Sequence, residues 1–414
     1  MNLLILINYT AWYIFIFIAV AWLLVLFTNR YEFSNKEQKR PKRLPTVSVL
    51  IPAYNEEHTI EKAISSVLNL EYPKRKIEVI VINDASTDKT ENLARKFKGV
   101  KIISNRINRG KAYSLNKALK IAKGEVIACI DADSTVKKDA LMRMIKYLED
   151  PKVAAVTPAL KVSKPKNFIE KIQSAEYLLN IFLRKCLSII DSVHVTPGVF
   201  SIYRKSVLRE VGGFDEKSLT EDMEIALRIH DAGYKIENEL GALSYTLCPS
   251  TFRSLFKQRL RWYRGAVQNT IKYKHMLFNP KYGNLGIFLL PMNFISVIAA
   301  MAVFFTLIWN TANTLAKLIW HLSLIDWNIT VFLNNFNFDL NYLTLNIIST
   351  SSMLMLVSIG IGCGILYKSF SMMRESVNAN KPGYILYLLF YPFIMMFIWT
   401  VALIYEVLGF ERKW

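Results

Sequence analysis

Acidic side chains stand at three separated places in this 414-residue chain, in surroundings typical of ligand-binding or catalytic groups. They are Asp84, the Asp131-Ala132-Asp133 triplet and Asp222. Carboxylates of this kind can hold a divalent cation, hydrogen-bond a nucleotide or accept a proton. The three places together predict an enzyme that handles a charged, activated substrate.

The triplet has the composition of a metal site. Asp131 and Asp133 lie two residues apart, so on an ideal strand their side chains point to the same face. Both can then approach one cation, or one can bind the metal and the other a ribose. Carboxylates combined with diphosphate and water oxygens suit Mg²⁺ or Mn²⁺. A solvated turn is the alternative, but the position directly after a buried strand favours a metal site.

Asp84 and Tyr54 also follow predicted strands, and each has two interpretations. Asp84 comes next to Ser86 and Thr87, so it can bind a base or ribose, or it can cap the next helix. The ring of Tyr54 offers a flat face to a nucleobase, or it packs in the ordinary way.

Asp222 has a position that suits a general base. It lies at the start of a predicted helix, Glu221–Asp231, where the helix dipole favours a negative charge. A base must be ionised to accept a proton, so this position suits that role. Helix capping by Glu221 or Asp222 is the alternative.

A fourth cluster reads Q-x-x-R-W, at Gln258, Arg261 and Trp262. It lies in a segment, Phe252–Leu277, that is rich in basic residues and aromatics and is typical of an amphipathic helix on a membrane surface. The three positions share a helical face. An arginine there can grip a diphosphate with two hydrogen bonds, and a tryptophan can stack on a sugar ring.

The elements that must position these residues alternate between strand and helix. Such alternation predicts a mostly parallel sheet with right-handed crossovers, and ligands bind beyond the carboxyl ends of its strands. The chain contains no G-x-G-x-x-G or P-loop pattern, which argues against a dinucleotide fold or a P-loop enzyme. The predicted strands are Val47–Ile51, Ile77–Ile82, Lys101–Ser104 and Val126–Ile130, and the predicted helices are Glu57–Asn69, Asp88–Phe97, Lys111–Lys123 and Lys138–Leu148.

Four apolar windows explain the 52% hydrophobic content. Each holds about 20 or more mostly uncharged residues, enough to cross a hydrocarbon core of ~30 Å. The first is predicted to be an anchor, because no small-residue cleavage site follows it. The windows are Ile7–Phe27, Leu285–Trp309, Leu343–Tyr367 and Gly383–Phe410.

Basic residues flanking the windows predict the orientation. The run from Arg30 to Arg43 follows the first window, so the block after it is expected in the cytoplasm. The basic loop 368–381 is expected there too. Four spans would place the C-terminus outside, where Arg412 and Lys413 fit poorly. The number of spans therefore stays open, with Leu315–Phe332 as an interfacial helix or re-entrant segment.

The net charge of +19 raises the alternative of nucleic-acid binding. No nucleic-acid motif is found, and the charge lies close to the apolar windows, so attraction to anionic lipid explains it and no nucleic-acid partner is expected. The four cysteines show neither metal-ligand spacing nor a disulfide framework.

Taken in order, these motifs resemble those of the membrane-embedded family 2 glycosyltransferases, which include poly-N-acetylglucosamine, cellulose, chitin and hyaluronan synthases. The resemblance covers residues 47–265, with apolar windows on both sides. The matching stretches are Ala53-Tyr54-Asn55-Glu56, Asn83-Asp84-Ala85-Ser86, Asn108-Arg109-Gly110-Lys111, Asp131-Ala132-Asp133, Gly212-Gly213-Phe214-Asp215, Thr220-Glu221-Asp222 and Q-x-x-R-W.

The resemblance implies an α/β GT-A fold, Rossmann-like with a mostly parallel sheet, in a cytoplasmic domain joined to an α-helical transmembrane region. It also implies an inverting transfer from a UDP-sugar, assisted by Mg²⁺ or Mn²⁺. Asp222 is then the base, and Asp131 and Asp133 hold the metal. The implied nucleotide and donor contacts are Tyr54, Glu56, Asp84, Lys111, Asp131 and Arg261, and the implied acceptor contacts are Pro197, Gly198, Glu221, Gln258 and Trp262.

The expected product is a growing polysaccharide, built with N-acetylglucosamine and translocated through the protein's own spans. The expected partners are the UDP-sugar, the glycan or a lipid-linked acceptor, membrane lipid and an accessory membrane subunit. A transferase that adds one sugar to a lipid acceptor is the alternative, and a non-enzymatic membrane scaffold is a second. The expected domains are an anchor (1–30), a basic linker (31–45), a catalytic domain (46–250), interfacial helices (251–284) and a membrane region (285–414).

Overall fold

The computed structural model describes residues 3–33, 41–334, 350–373, 375 and 380–410. The chain divides into two compact units, residues 1–24 with 292–367 and residues 25–291 with 368–414. The part of the third apolar window that precedes Thr350 lies outside the described residues. So do several basic residues from the segments used above to predict the orientation, namely Lys36, Lys39, Arg40, Arg374, Arg412 and Lys413.

An eight-stranded sheet forms the centre of the second unit, in the order β3-β2-β1-β4-β7-β6-β8-β5. The first four strands in this order run parallel, as predicted. The strand β7 is antiparallel to its neighbours β4 and β6, and β5 is antiparallel to β8. The strands are β1 Val47–Ala53, β2 Ile77–Asn83, β3 Val100–Ser104, β4 Val126–Ile130, β5 Ser134–Val136, β6 Val153–Val162, β7 Val199–Arg204 and β8 Lys235–Thr246.

Helices cover the sheet, and β-branched residues on its central strands form the buried core. All five residues of β4 are buried, as expected for a parallel strand covered on both faces. After the N-terminal helix α1, Leu3–Thr28, the helices of this part are α2 Ile60–Leu68, α3 Thr90–Arg95, α4 Lys111–Ile121, α5 Ala140–Ile145, α6 Phe168–Ile189, α7 Lys205–Glu210, α8 Glu221–Asp231 and α9 Phe252–Lys272. Each predicted strand and helix is present, with shifts of a few residues at the ends.

Among the described residues, three helices are long and apolar enough to cross a membrane, Leu4–Thr28, Leu285–Leu324 and Ser352–Met372. The second is 40 residues long, about 60 Å at 1.5 Å per residue, so it exceeds the hydrocarbon thickness. Residues 315–324 therefore continue this helix and do not form a separate re-entrant segment. A short helix, Ile329–Asn334, follows it.

The fourth predicted span is a bent pair of helices, Gly383–Leu389 and Tyr391–Val407, which meet at 51°. Pro392 explains the break, because its ring cannot continue a helix from the preceding turn. The second helix of the pair packs on α9, and Tyr391, Met395 and Ile398 are buried there. If the bent pair counts as one span, the described residues contain up to four candidate membrane spans.

Candidate active site

The carboxyl ends of β1, β2 and β4 bring the first polar clusters to one edge of the sheet. The register pairs Ala53 with Asn83, and the amide of Asp84 donates to the carbonyl of Ala53 at 2.9 Å. Since β4 lies on the other side of β1, the triplet 131–133 leaves the sheet at the same edge. Tyr54 follows β1 with 47% of its surface exposed, open to a ligand.

Asp84 is buried and fixes the beginning of α4. Its carboxylate accepts hydrogen bonds from the side chain of Asn105 at 2.7 Å and from the backbone amides of Arg109 and Gly110, the latter at 2.8 Å. Lys111 is the first residue of α4. Asp84 therefore sets the position from which the Lys111 side chain enters the site, and its predicted contact with a nucleotide stays a prediction.

The same-face argument assumed that the Asp131-Ala132-Asp133 triplet continues the strand β4. In the structure the triplet forms a turn instead. The amide of Asp131 donates to the carbonyl of Gly198 at 2.8 Å, and its carbonyl accepts from the amide of Ser134 at 3.0 Å. A register shift at the end of β4 accompanies this change of direction. The carboxylate of Asp133 accepts from the hydroxyl of Ser134 at 2.8 Å.

The two aspartates are nevertheless electrostatic neighbours. Burial, and then the negative charge of Asp131, raise the pKa of Asp133 to about 6. Glu56 adds to this effect. Burial also raises the pKa of Glu56, with Asp131 contributing in the same direction. These carboxylates repel one another, and a cation placed among them would relieve the repulsion.

Lys111 joins the triplet to the next motif. Its ammonium lies 2.5 Å from Asp131 Oδ1 and 3.0 Å from Glu221 Oε1. Burial alone would lower the pKa of Lys111, but the attraction of Asp131 and Glu221 outweighs it and raises the pKa well above the usual value. The Lys111 side chain is therefore a permanent cation within a carboxylate cluster.

Asp222 lies in the first turn of α8, as predicted. The backbone carbonyl of Asp222 accepts two hydrogen bonds from Thr196, from the amide at 3.1 Å and from the hydroxyl at 2.9 Å. Burial, and then the charge of Glu221, raise the pKa of the Asp222 carboxyl to about 6, although Lys111 and Arg261 act in the opposite direction. Burial thus outweighs the helix position that was expected to favour the ionised form.

The loop 196–198 contacts both the Asp131-Ala132-Asp133 triplet and the Thr220-Glu221-Asp222 motif. A Cβ atom on Gly198 would stand 2.3 Å from Lys111 Nζ and 2.7 Å from each carboxylate oxygen of Asp131. Only glycine leaves room for the Lys111–Asp131 ion pair there. Pro197 is buried next to it, and its carbonyl accepts from the hydroxyl of Ser201 at 2.6 Å.

The Q-x-x-R-W cluster lies on α9. The charge of Arg261 acts to lower the pKa of both Glu221 and Asp222, so this arginine lies near the start of α8. The guanidinium of Arg259, the residue after Gln258, lies 4.0 Å from the centre of the Trp262 ring. Arg259 therefore belongs to the same cluster of side chains as Gln258, Arg261 and Trp262, although the Q-x-x-R-W motif does not specify it.

Two further charged residues of α6 belong to this region and were missed from the sequence. Arg184 feels the charge of Asp222, and burial lowers the pKa of its guanidinium to about 10. Glu176 forms an ion pair with Arg259 at 2.5 Å. Neither residue belongs to a motif, and each is separated by tens of residues from its partner, so no sequence signal identifies them.

The residues fit the expected divalent cation in part. Asp131 and Asp133 are close enough to influence each other, but the described residues contain no group of three or more acidic, histidine or cysteine side chains with metal-site geometry. Mg²⁺ is commonly held by one or two carboxylates together with substrate phosphates and water. Two aspartates facing an open site suit that type of binding.

Comparison with known proteins bears on the family. Residues 48–212 match the family described as Glycosyl transferase family 2. The poly-beta-1,6-N-acetyl-D-glucosamine synthase of Staphylococcus epidermidis is 33% identical over an alignment of 282 positions, which covers 63% of this chain and 67% of that protein. The enzyme of the same name from Staphylococcus aureus (strain COL) is 34% identical over an alignment of 261 positions, which covers 60% of this chain and 63% of that protein.

One solved structure is similar along almost the whole chain. The mannosyltransferase PcManGT from Pyrobaculum calidifontis, in complex with GDP-Man and Mn²⁺, matches with a TM-score of 0.59 and 20% identity over 97% of this chain and 100% of that chain. At this identity the likeness concerns the fold alone, and it confirms the expected GT-A architecture with apolar helices. The family match and the sequence relatives establish that the chain belongs to glycosyltransferase family 2.

Proposed function

We propose that this chain is a membrane polysaccharide synthase that transfers N-acetylglucosamine from UDP-N-acetylglucosamine to the end of a growing poly-N-acetylglucosamine chain. The sugar is inferred from the names of the Staphylococcus relatives. The alignments leave about a third of those proteins uncovered, so their activity is carried over here only as a proposal.

One observation carries this proposal: a single ammonium connects the predicted donor residues to the predicted base. Lys111 contacts Asp131 on one side and Glu221, the neighbour of Asp222, on the other. A donor diphosphate at Asp131 and an acceptor hydroxyl at Asp222 would then lie within one cleft. This is the arrangement that a direct displacement requires, because both reactants must be held together.

In the proposed mechanism, Asp222 accepts the proton of the acceptor hydroxyl while that oxygen attacks the anomeric carbon. The attack comes from the face opposite the leaving UDP, so the configuration is inverted. One carboxylate is enough, since UDP leaves without the acid that a glycosidase needs. Negative charge builds on the diphosphate, and Lys111 and Arg261 are the cations placed to stabilise it.

A divalent cation held by Asp131 and Asp133 would act as a Lewis acid on the diphosphate oxygens. Burial is the main cause of the raised pKa of Asp133, and the charge of Asp131 adds to it. The repulsion between these two carboxylates supports the assignment, because a cation bound between them would relieve it.

The apolar helices support a location in the membrane. The basic residues after the first helix favour a cytoplasmic catalytic domain, where UDP-sugars would reach it. The growing glycan would then leave through the spans of the enzyme, with an accessory membrane subunit as a further partner.

The test is a screen of UDP-sugars with the full chain in lipid nanodiscs, with Mg²⁺ or Mn²⁺, followed by sizing of the labelled product. Long products from UDP-N-acetylglucosamine are expected, and Asp222→Asn should form them about 10²- to 10⁴-fold more slowly. A product with one added sugar would replace the proposal with the single-addition alternative. Equal turnover in the wild type and in Asp222→Asn would contradict the assignment of the base.

A further inference from the structure

Arg259 contacts two residues of the Q-x-x-R-W motif without being one of its defining residues. Its Nη1 donates to Gln258 Oε1 at 3.2 Å. The same guanidinium lies over the indole of Trp262, 4.0 Å from the ring centre. A flat cation on the face of a tryptophan is attractive and fixes the plane of the ring, because both groups are planar. The orientation of Trp262 therefore depends on where Arg259 is held.

Two other helices hold Arg259. Its Nη2 donates to Glu176 Oε2 on α6 at 2.5 Å, and its Nε donates to the hydroxyl of Tyr391 at 3.2 Å. The hydroxyl of Tyr391 in turn donates to Glu176 Oε2 at 2.7 Å. Arg259 has no exposed surface, so its three nitrogens depend on Glu176, Tyr391 and Gln258.

A buried guanidinium in this position needs a charged partner. Burial alone would lower the pKa of Arg259, and Glu176 is the leading cause of its rise. If the charge of Glu176 is removed, the guanidinium stays charged in a dry environment and shifts toward other acceptors. Any such shift moves the surface on which Trp262 rests.

We propose that Glu176 is a positioning residue for the acceptor sugar: through Arg259 it sets the orientation of Trp262 and Gln258. This inference rests on the proposed function in one respect, namely that Trp262 and Gln258 contact the acceptor. It assigns a role to α6, which no motif covers, and it links the acceptor side of the cleft to the helix Tyr391–Val407.

The chain offers a matched control in a second, largely buried ion pair of α9, this one made with the helix Tyr391–Val407. Arg264 of α9 pairs with Glu406 of the helix Tyr391–Val407, and Gln268 also donates to Glu406, at 3.0 Å. Glu406 thus anchors α9 to the same helix as Tyr391 does, but no contact connects it to Trp262 among those that the structure describes. Glu406→Gln should weaken the packing without turning the indole.

The experiment is a double-mutant cycle with a defined N-acetylglucosamine oligosaccharide as acceptor. Glu176→Gln should raise the acceptor KM about tenfold, the loss expected for one charge-assisted hydrogen bond. Hydrolysis of UDP-N-acetylglucosamine by water should be unchanged, since it needs no glycan acceptor. In a Trp262→Ala background, Glu176→Gln should change the acceptor KM less than about twofold, because contacting residues are not additive. Glu176→Asp should restore part of the loss.

Glu406→Gln should leave the acceptor KM within about twofold of the wild type in both backgrounds. Full additivity of Glu176→Gln with Trp262→Ala would overturn the proposal, as would an equal effect of Glu406→Gln. If the wild-type protein makes no glycan, the proposed function fails, and a second readout still decides the positioning role.

That readout is the ¹⁹F spectrum of the full chain labelled with 5-fluorotryptophan. The resonance lost in Trp262→Phe identifies Trp262. Glu176→Gln should shift or broaden this resonance, and Glu406→Gln should leave it in place. An unchanged Trp262 resonance in Glu176→Gln would overturn the proposal without reference to activity.

Discussion

The amide of Asp131 donates a hydrogen bond to the backbone carbonyl of Gly198 at 2.8 Å, and this seats the glycine directly against the Asp131 carboxylate. The space there is closed to any side chain. Gly198 thus controls the position of an ion pair that joins the two halves of the cleft.

Gly198→Ala should abolish most of the transfer activity while the protein stays folded. The atoms nearest to the new methyl group are the far ends of the Lys111 and Asp131 side chains, which can move aside. The ion pair must then separate, and activity should fall at least about tenfold, the cost of losing one charged hydrogen bond. Transfer rates and thermal unfolding of the same preparation measure the two effects.

Gly364→Ala is the matched control, because a Cβ on Gly364 meets nothing within 4 Å. It should leave activity unchanged. A folded Gly198→Ala protein with wild-type activity would show that the Lys111–Asp131 pair is not needed for transfer.

Asp222→Asn should lower kcat by about 10²- to 10⁴-fold, the usual contribution of a general base. Asparagine keeps the size of the side chain and its hydrogen bond from the amide of Met223, which reaches Asp222 Oδ1 at 2.9 Å. UDP binding, followed by calorimetry, should therefore persist. Loss of UDP binding in this variant would mean that Asp222 serves the donor and not the acceptor.

The pH dependence of kcat should show an acid limb near pH 6. The pKa of Asp222 is raised to about 6, so the carboxyl is mostly ionised at pH 7 and mostly protonated at pH 5. A protonated base cannot accept the acceptor proton, and kcat should fall about tenfold from pH 7 to pH 5. Saturating donor and metal isolate this limb from the titration of Asp133. A flat profile in this range would remove Asp222 as the titrating base.

The sequence predicted the parallel half of the sheet and the start of α8 because both follow from local patterns. Buried β-branched runs identify β1 to β4, and helical periodicity with an acidic first turn identifies Glu221–Asp231. The antiparallel strand β7 carries no such local mark. Its pairing with β4, with a register shift at Cys129 and Ile130, turns the triplet away from the strand direction assumed for it.

The charged residues of α6 could not be found in the same way. Glu176 and Arg259 are 83 positions apart and meet because α6 and α9 pack together. Arg184 of α6 influences Asp222 of α8, another residue that the tertiary structure alone brings near it. The burial that raises the pKa of Asp222 also comes from the tertiary structure, whereas the sequence offered only the helix dipole, which acts in the opposite direction.

Asp133→Asn should weaken Mn²⁺-dependent UDP binding by at least about tenfold, because it removes one of two carboxylates available to the cation. Binding of UDP without metal should change much less. Calorimetry with UDP in the presence and absence of Mn²⁺ separates the two. Asp150→Asn, an exposed aspartate after α5, is the control and should have no effect. Equal losses with and without Mn²⁺ would contradict a metal role for Asp133.

Glu224→Ala should destabilise the fold, and the variant that remains folded should keep its kcat. Glu224 has no exposed surface and accepts hydrogen bonds from Lys272 at 2.6 Å and from the hydroxyl of Tyr273 at 2.8 Å, which tie α8 to the end of α9. It also pairs with Arg228. Removing the carboxylate takes away the buried acceptor that both cations share, at a cost of about 3 kcal/mol.

Thermal and denaturant unfolding of detergent-solubilised protein measure this loss. Glu210→Ala is the control, because Glu210 is exposed and its contact with the hydroxyl of Tyr234, at 2.9 Å, lies at the surface. At a temperature where Glu224→Ala is still folded, its kcat should be close to that of the wild type. A large fall in kcat under those conditions would mean that the network around Glu224 positions the neighbouring Asp222 for catalysis.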